Sequence, residues 1–174
     1  MKRLLLLRHA KTVPAGHGID DHERALMTRG REDAPAMGKY MAREKYLPDL
    51  ILSSTARRTV ETTDLVAERL PKTRPVEHVE TLYLAEASEI LSIVRAVSDT
   101  VKTLMVVGHN PGMEQLAALL SRAPVRRKER DRFDLIEEKF PTGALAVLDF
   151  NISRWRDVAP GQGELTDFVR PRDL

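Results

Sequence analysis

The stretch Leu4-Leu5-Leu6-Leu7-Arg8-His9 decides the fold, because four consecutive leucines are followed at once by two ionisable side chains. The apolar run ends at Arg8, so it is shorter than the roughly 7–15 apolar residues of an export signal and the ~20 of a membrane span. A short run that is apolar on both faces is typical of a strand buried inside a parallel sheet. The stretch therefore predicts a central strand whose carboxyl end carries an arginine and a histidine.

Further apolar runs alternate with segments of helical period along the chain, a pattern typical of α/β proteins. We predict strands at residues 49–52, 76–79, 103–107 and 144–150, with 155–158 as the hairpin partner of the last strand and a loop-like tail from Pro160. Helices are predicted at 28–46, capped by Thr28, at 55–70 and 88–97, and from Pro111 onward, capped by Asn110. The predicted architecture is α/β, with three α/β/α layers and a mainly parallel central sheet, formed as a single domain over residues 1–174.

The composition limits the classes of function. The 174 residues suit one domain, 42% are hydrophobic and the net charge is only +2, which excludes a disordered chain. No cysteine is present, so disulfides, thiolate nucleophiles and cysteine zinc sites are excluded. A reducing compartment is favoured, and with no apolar run of membrane length we expect a cytoplasmic protein that binds no membrane.

Residues 122–139 carry a dense run of charges of both signs. Such a run is usually a solvated helix face or loop, and the alternative is a basic rim that guides an acidic partner. The interleaved acids and the aromatic content of only 5% argue against a stacking surface, so no nucleic-acid partner is expected. The sequence leaves the role of this segment open.

Three of the predicted strands end in polar residues that do not suit a core. These residues are Arg8-His9 after the first strand, residues 53–58 with Arg57 and Arg58 after the second, and Gly108-His109-Asn110 after the strand at 103–107. Ligands of parallel α/β sheets bind outside the carboxyl ends of the strands, so we expect the three segments to meet in one crevice. Two histidines, two or three guanidinium groups and two helix N-termini would there bind an anion, first of all a phosphate.

The chemistry of histidine suggests how such a site would act. An unperturbed pKa of about 6.5 allows one neutral imidazole to attack phosphorus and a second, protonated one to stabilise charge on the phosphoryl oxygens. His17, His22 and His78 do not follow a predicted strand end and are interpreted as structural histidines. A metal site formed by residues 17 and 20–23 matches no established ligand spacing, so no metal is predicted.

Three motifs resemble those of the histidine phosphatase superfamily, which includes phosphoglycerate mutases and acid phosphatases. Leu7-Arg8-His9-Ala10 is similar to the Arg-His-Gly signature, with Ala10 in place of glycine. Residues 54–62 are similar to the stretch Ser-Pro-x-x-Arg-Ala-x-Gln-Thr, with Thr55 in place of proline, and residues 106–111 resemble the segment that carries the second catalytic histidine. Within the superfamily, the SixA-type phosphohistidine phosphatases are the most similar, as judged by the small size, the segment Asp21-x-x-Arg24-x-Leu26-x-Thr28-x-Gly30, Leu82-Tyr83-Leu84-Ala85 and Trp155.

The resemblance implies a phosphoglycerate mutase-like fold and a phosphatase that needs no metal or organic cofactor. It implies that His9 is the nucleophile and that Arg8, Arg58 and His109 form the phosphate pocket. Lys11 and Asn110 are added as substrate-binding residues. The expected substrate is a phosphohistidine-bearing signalling protein.

The chain departs from the larger members of the superfamily at the general acid. Those members place a carboxylic acid where this chain has Leu82-Tyr83-Leu84; Glu80 and Glu86 flank the gap, and Asp20, Asp21 or His22 could deliver a proton instead. A positioned acid typically contributes ~10²–10⁴-fold to the rate, whereas an imidazole leaving group is readily protonated, which favours phosphohistidine over a sugar phosphate. The alternatives are a small-molecule phosphomonoesterase with Glu80 or Glu86 as acid, and an adaptor that binds phosphate or a phosphoprotein without turnover.

Overall fold

The computed structural model describes residues 1–16 and 18–174, and in this part of the chain six strands form one sheet. The strands are β1 (Lys2–Arg8), β2 (Leu50–Ser54), β3 (Val76–Val79), β4 (Thr103–Gly108), β5 (Leu145–Phe150) and β6 (Glu164–Val169), in the spatial order β3-β2-β4-β1-β5-β6. The first four strands run parallel to one another, β5 pairs antiparallel with β1, and β6 pairs antiparallel with β5. The helices are α1 (Thr28–Glu44), α2 (Arg57–Ala67), α3 (Ala87–Arg95), α4 (Gly112–Leu120) and α5 (Arg127–Glu138).

The central strand β1 organises the two cores of the protein. Its four leucines are completely buried and alternate between the faces of the sheet. Leu4 and Leu6 pack in one apolar cluster with side chains of α3, α4 and α5, whereas Leu5 and Leu7 pack in the other with side chains of α1 and α2. Full burial of one leucine contributes about 1.5–3 kcal/mol, so this strand anchors both helical layers. The predicted three-layer architecture with a mainly parallel sheet is thus confirmed.

Two predicted helix caps are wrong. Thr28 is the first residue of α1, and the N-cap is Met27, which makes no side-chain cap bond. Pro111 is the N-cap of α4 and Asn110 lies one residue earlier, although the Asn110 side chain still accepts the backbone N–H of Glu114 at 3.2 Å. The Asn110 amide also donates to the Phe140 carbonyl at 2.9 Å, so this residue fastens a loop as well as the helix.

The prediction for the C-terminal part of the chain is also wrong. Residues 155–157 form a short 3-10 turn, and the hairpin partner of β5 is β6, inside the tail that we expected to be loop-like. Trp155 is completely buried and its indole N–H donates to the Val101 carbonyl at 2.8 Å, which explains why an apolar residue stands there outside a strand. Asp167 places a charged residue in the middle of β6, which is unusual for a strand. The hydroxyls of Tyr40 and Tyr46 bind its carboxylate at 2.6 and 2.9 Å and so satisfy it inside the sheet.

The charged segment at residues 122–139 contains helix α5, most of which is exposed. Helix α5 has 12 residues and spans roughly 18 Å. The basic residues at its start therefore lie about 18 Å from its end, where the chain turns back toward β1. This arrangement agrees with the interpretation as a solvated helix face. No helix in residues 1–16 or 18–174 is both long enough and apolar enough to cross a membrane.

Gly30 of α1 allows the segment after β1 to lie directly on the helix. A Cβ atom at this position would stand 2.2 Å from the Lys11 carbonyl oxygen, which also accepts the backbone N–H of Met27 at 3.0 Å. Replacing glycine by alanine inside a helix normally stabilises the helix by about 1 kcal/mol. At Gly30 the clash with backbone atoms opposes this gain.

We predict that Gly30→Ala lowers the free energy of unfolding by about 1–3 kcal/mol, the usual cost of overpacking a rigid site. Urea denaturation measures the change. Lys39→Ala, at an exposed position of the same helix, is the control and should change the stability by less than about 0.5 kcal/mol. A Gly30→Ala protein as stable as the wild type would show that the contact with Lys11 is not rigid.

Candidate active site

The carboxyl ends of β1, β2 and β4 meet at a cleft of about 540 Å³, as the sequence predicted. The structure brings all six predicted site residues together in its walls: Arg8, His9, Lys11, Arg58, His109 and Asn110. The centroids of the two histidine rings are 5.4 Å apart. The convergence therefore holds in geometry, while the role of each residue stays a prediction.

The His9 ring is fixed in one tautomer. Its Nδ1 atom lies 2.9 Å from the Ala10 carbonyl oxygen, and because a carbonyl only accepts, Nδ1 must carry the proton. The Thr12 hydroxyl lies 3.3 Å from the same nitrogen. The neutral ring therefore has its lone pair on Nε2, which has no hydrogen-bond partner among the described residues. This is the arrangement that a nucleophilic imidazole needs.

His109 is held by Ser54 at the end of β2. The Nε2 atom of the histidine and the Ser54 hydroxyl oxygen are 2.8 Å apart, and this oxygen already accepts the backbone N–H of Ala56 at 3.3 Å. The Ser54 hydroxyl can donate its proton to Nε2, and in that tautomer the neutral ring carries its proton on Nδ1. In that tautomer Nδ1 is a buried donor that has no partner among the described residues.

Burial is the main cause that lowers the pKa of both histidines to about 3, and the charges of Arg8 and Arg58 act in the same direction. The two rings are therefore neutral at neutral pH in the free protein. This differs from our expectation of a protonated second histidine. A neutral His109 can still donate to a phosphoryl oxygen through Nδ1–H, so a positive charge is not required for that contact.

The two arginines that line the cleft are only partly paired. Arg8 donates from Nη1 to the Phe140 carbonyl at 3.0 Å, and Arg58, only 2% exposed, donates from Nη1 to the Asp21 carbonyl at 2.7 Å. The Nε atoms of both arginines are buried without a partner among the described residues. An unsatisfied buried donor costs about 1–3 kcal/mol, so the cleft is built for a ligand that supplies acceptors. An oxyanion such as phosphate fits this donor set.

Asp21 is the predicted proton donor that the structure brings into the cleft, but it is held as a carboxylate. It accepts from Arg58 Nη2 at 3.0 Å, from Arg24 at 2.9 and 3.0 Å, and from the Tyr83 hydroxyl. The Tyr83 hydroxyl, followed by the Arg24 and Arg58 guanidinium groups, holds the pKa of the Asp21 carboxyl well below its usual range. Asp21 therefore acts as the counter-ion of Arg58 and is not suited to be a general acid.

Sequence reasoning missed Tyr83 as a member of the site. Its ring packs edge-on against His109, with centroids 5.5 Å apart, and the Arg58 guanidinium carbon lies 5.8 Å from the ring centre. Burial and the nearby Asp21 carboxylate raise the pKa of the Tyr83 hydroxyl, so it remains a donor. The signal in the sequence was the single tyrosine in Leu82-Tyr83-Leu84, a segment that we considered only as the place of a carboxylic acid.

The other candidate acids do not line the cleft. Asp20 caps a short turn and Glu86 caps α3. His22 binds the Thr55 hydroxyl at 2.9 Å, and His78 is exposed on β3, in agreement with their structural interpretation. His17, one of the residues of the metal site considered at residues 17 and 20–23, lies outside the described residues. Residues 1–16 and 18–174 contain no cluster of three metal-ligating side chains.

The depressed histidine pKa values predict that acid destabilises the protein through the cleft. An unfolded histidine titrates near 6.5 and these two near 3 when folded, so between those values the unfolded state binds more protons and the free energy of unfolding falls as the pH falls. Each such histidine contributes a slope of about 1.4 kcal/mol per pH unit. Between pH 6.5 and 4.5 we predict that His109→Gln loses about 2–3 kcal/mol less than the wild type.

Urea denaturation at the two pH values measures this difference. His78→Gln, in which an exposed histidine is removed, should follow the wild-type pH dependence. An equal loss in the wild type and in His109→Gln would mean that His109 is not buried as a neutral ring.

Comparison with known proteins identifies the family. The model of the histidine phosphatase superfamily (branch 1) matches residues 4–88, which include β1, β2 and the segments that supply His9 and Arg58. An uncharacterized protein of Mycobacterium tuberculosis is 36% identical over 169 residues, covering 95% of this chain and all of the relative.

Two solved structures extend the similarity over nearly the whole chain. The protein assigned as phosphohistidine phosphatase SixA in Agrobacterium tumefaciens is 33% identical, with a TM-score of 0.79 and 98% of both chains covered. Its counterpart in Nakamurella multipartitia is 29% identical, with a TM-score of 0.83, covering 98% of this chain and 96% of the other. The chain therefore belongs to the histidine phosphatase superfamily, as a phosphatase of the SixA type.

Proposed function

We propose that the protein is a metal-independent phosphatase that removes phosphoryl groups from phosphohistidine in a signalling protein, through a phosphohistidine intermediate on His9. The observation that carries the proposal is the single accessible lone pair on His9 Nε2 within a set of buried, unpartnered donors. The names of the two SixA structures support phosphohistidine as the substrate. A cytoplasmic location is proposed on the absence of cysteine from the sequence.

In the proposed reaction the phosphoryl oxygens accept from Arg8 Nε, Arg58 Nε and His109 Nδ1–H. His9 Nε2 attacks phosphorus in line, a new P–N bond forms, and the P–N bond of the substrate breaks as its imidazole takes a proton from solvent. The phosphorylated His9 ring is cationic, and the Ala10 carbonyl oxygen that accepts from Nδ1–H stabilises this charge. Water then cleaves the P–N bond on His9, which releases inorganic phosphate and restores the neutral ring.

The state of the acids favours this substrate over a phosphate ester. An alkoxide leaving group needs a proton donor near the cleft, and the carboxyl group present there, Asp21, is ionised. Glu80 and Glu86, on which the phosphomonoesterase alternative rests, do not line the cleft. A leaving imidazole is basic enough to be protonated without such help.

We predict that His9→Ala lowers kcat/KM for a synthetic phosphohistidine peptide by at least about 10³-fold, because the attacking atom is lost. The wild type should form an acid-labile phosphoenzyme and the variant none. His78→Ala is the control. It removes an exposed histidine of β3 that does not line the cleft, and it should retain wild-type rates.

The same assay separates the alternatives. Hydrolysis of a sugar phosphate as fast as that of the peptide would favour the phosphomonoesterase. Binding of phosphate without any turnover by the wild type would favour the adaptor, and equal rates for wild type and His9→Ala would refute His9 as the nucleophile.

We further predict that Asp21→Asn lowers kcat/KM by roughly 10–100-fold, because Arg58 loses a charged hydrogen bond worth about 1.5–3 kcal/mol. The loss should be equal for p-nitrophenyl phosphate, whose leaving group needs no acid, and for an alkyl phosphate. A loss confined to the alkyl phosphate would instead identify Asp21 as a general acid.

A further inference from the structure

A second pocket of about 260 Å³ adjoins the active-site cleft and shares Lys11 and Thr142 with it as walls. We call it the cationic pocket; its charged walls are Lys11, Arg29, Asp33, Arg170 and Arg172. Four of these five side chains are basic. The pocket thus extends the positive character of the cleft in one direction along the surface.

Two of the four cations are already neutralised within the protein. Arg29 binds the Asp33 carboxylate at 3.0 Å, and Arg170 forms two bonds of 2.9 Å with Asp173. Lys11 and Arg172 are exposed, and within the described residues neither side chain makes a hydrogen bond or an ion pair. Among the described residues, the pocket therefore presents two positive side chains without an ion-pair partner beside the phosphoryl site.

The backbone on both sides of the pocket is fixed to the strand that carries His9. The Lys11 carbonyl accepts from Met27 and packs on Gly30 of α1, so the lysine emerges from a rigid base. On the other side the Gly143 N–H donates to the Arg8 and His9 carbonyls at 3.1 and 2.9 Å. Gly143 has φ +76° and packs against the Pro171 ring, which holds Thr142 and the segment of Arg172 in place. The backbone segments that carry Lys11 and Arg172 are thus both connected to the strand that carries His9.

We propose that the cationic pocket binds a carboxylate side chain that lies close to the phosphohistidine in the sequence of the protein substrate. The inference rests on the proposed function and adds a rule of substrate selection to it. A carboxylate matches the ammonium of Lys11 and the planar guanidinium of Arg172. Consecutive residues of an extended peptide are 3.3–3.6 Å apart, so an acidic residue two or three positions away spans about 7–11 Å, the scale of two adjoining pockets.

Two phosphohistidine peptides test the proposal, one with glutamates and one with glutamines at the two to three positions on each side of the phosphorylated residue. Because an exposed ion pair is weak, the wild type should prefer the glutamate peptide by roughly 2–5-fold in kcat/KM at low salt. The preference should shrink in 0.5 M salt, because exposed charges are screened. Arg172→Glu should abolish or reverse it, while p-nitrophenyl phosphate, which has no carboxylate, is hydrolysed within about twofold of the wild-type rate.

Lys128→Glu is the matched control, because it makes the same change of charge at an exposed position of α5 and should keep the preference. Equal use of both peptides by the wild type, or a preserved preference in Arg172→Glu, would overturn the pocket and leave the proposed function intact, provided that hydrolysis still depends on His9. A parallel loss with p-nitrophenyl phosphate would also overturn it, since the substitution would then act on the cleft. 3-Phosphoglycerate is a small phosphate that carries its own carboxylate. An effect of Arg172→Glu on this compound alone, and not on the peptides, would also overturn the proposal. Failure of the wild type to hydrolyse either peptide would refute the proposed function itself.

Discussion

The parallel register of β1 on β4 is the constraint on which the active site depends. Leu7 pairs with Val107 and Arg8 with Gly108, so both strands end at the same level of the sheet. The His9 N–H donates to the Gly108 carbonyl at 3.1 Å and continues the ladder by one residue. A shift of one residue would bring Arg3 or Arg8 into the buried part of the strand, which is costly for a charged side chain, so the packing of both cores favours this register. The separation of 5.4 Å between the histidine rings follows from that packing.

The electrostatics of the cleft follow from a surplus of buried donors over acceptors. Positive groups are costly to bury unless they are paired, and here the pairing is partial. The Phe140 and Asp21 carbonyls and the Asp21 carboxylate take several of the arginine donors, while Arg8 Nε, Arg58 Nε and His109 Nδ1 remain without acceptors in the described structure. Burial, together with this positive charge, keeps both histidines neutral. An anion that enters the cleft removes the cost of the unpaired donors, which favours its binding.

The sequence predicted the parts of the fold that depend on local pattern. The run Leu4–Leu7 and the polar residues after three strands were enough to place the sheet and to bring the six site residues together. β6 escaped prediction because the acid in its middle, Asp167, is satisfied by Tyr40 and Tyr46, which lie more than a hundred residues earlier in the chain. The protonation of His109 and the membership of Tyr83 in the site escaped for a similar reason. Both depend on contacts across the fold that no local pattern encodes.

One acidic residue connects phosphate binding with the choice of leaving group. Arg58 is almost fully buried and needs a counter-ion, and Asp21 supplies it from the loop that follows the first motif. A carboxyl that neutralises an arginine, and accepts from a tyrosine as well, cannot at the same time hold the proton that an alkoxide would need. Asp21 therefore supports the binding of the phosphoryl group through Arg58, and for the same reason it does not serve as a general acid. Substrates whose leaving group accepts a proton from water, such as phosphohistidine, are the ones that tolerate this arrangement.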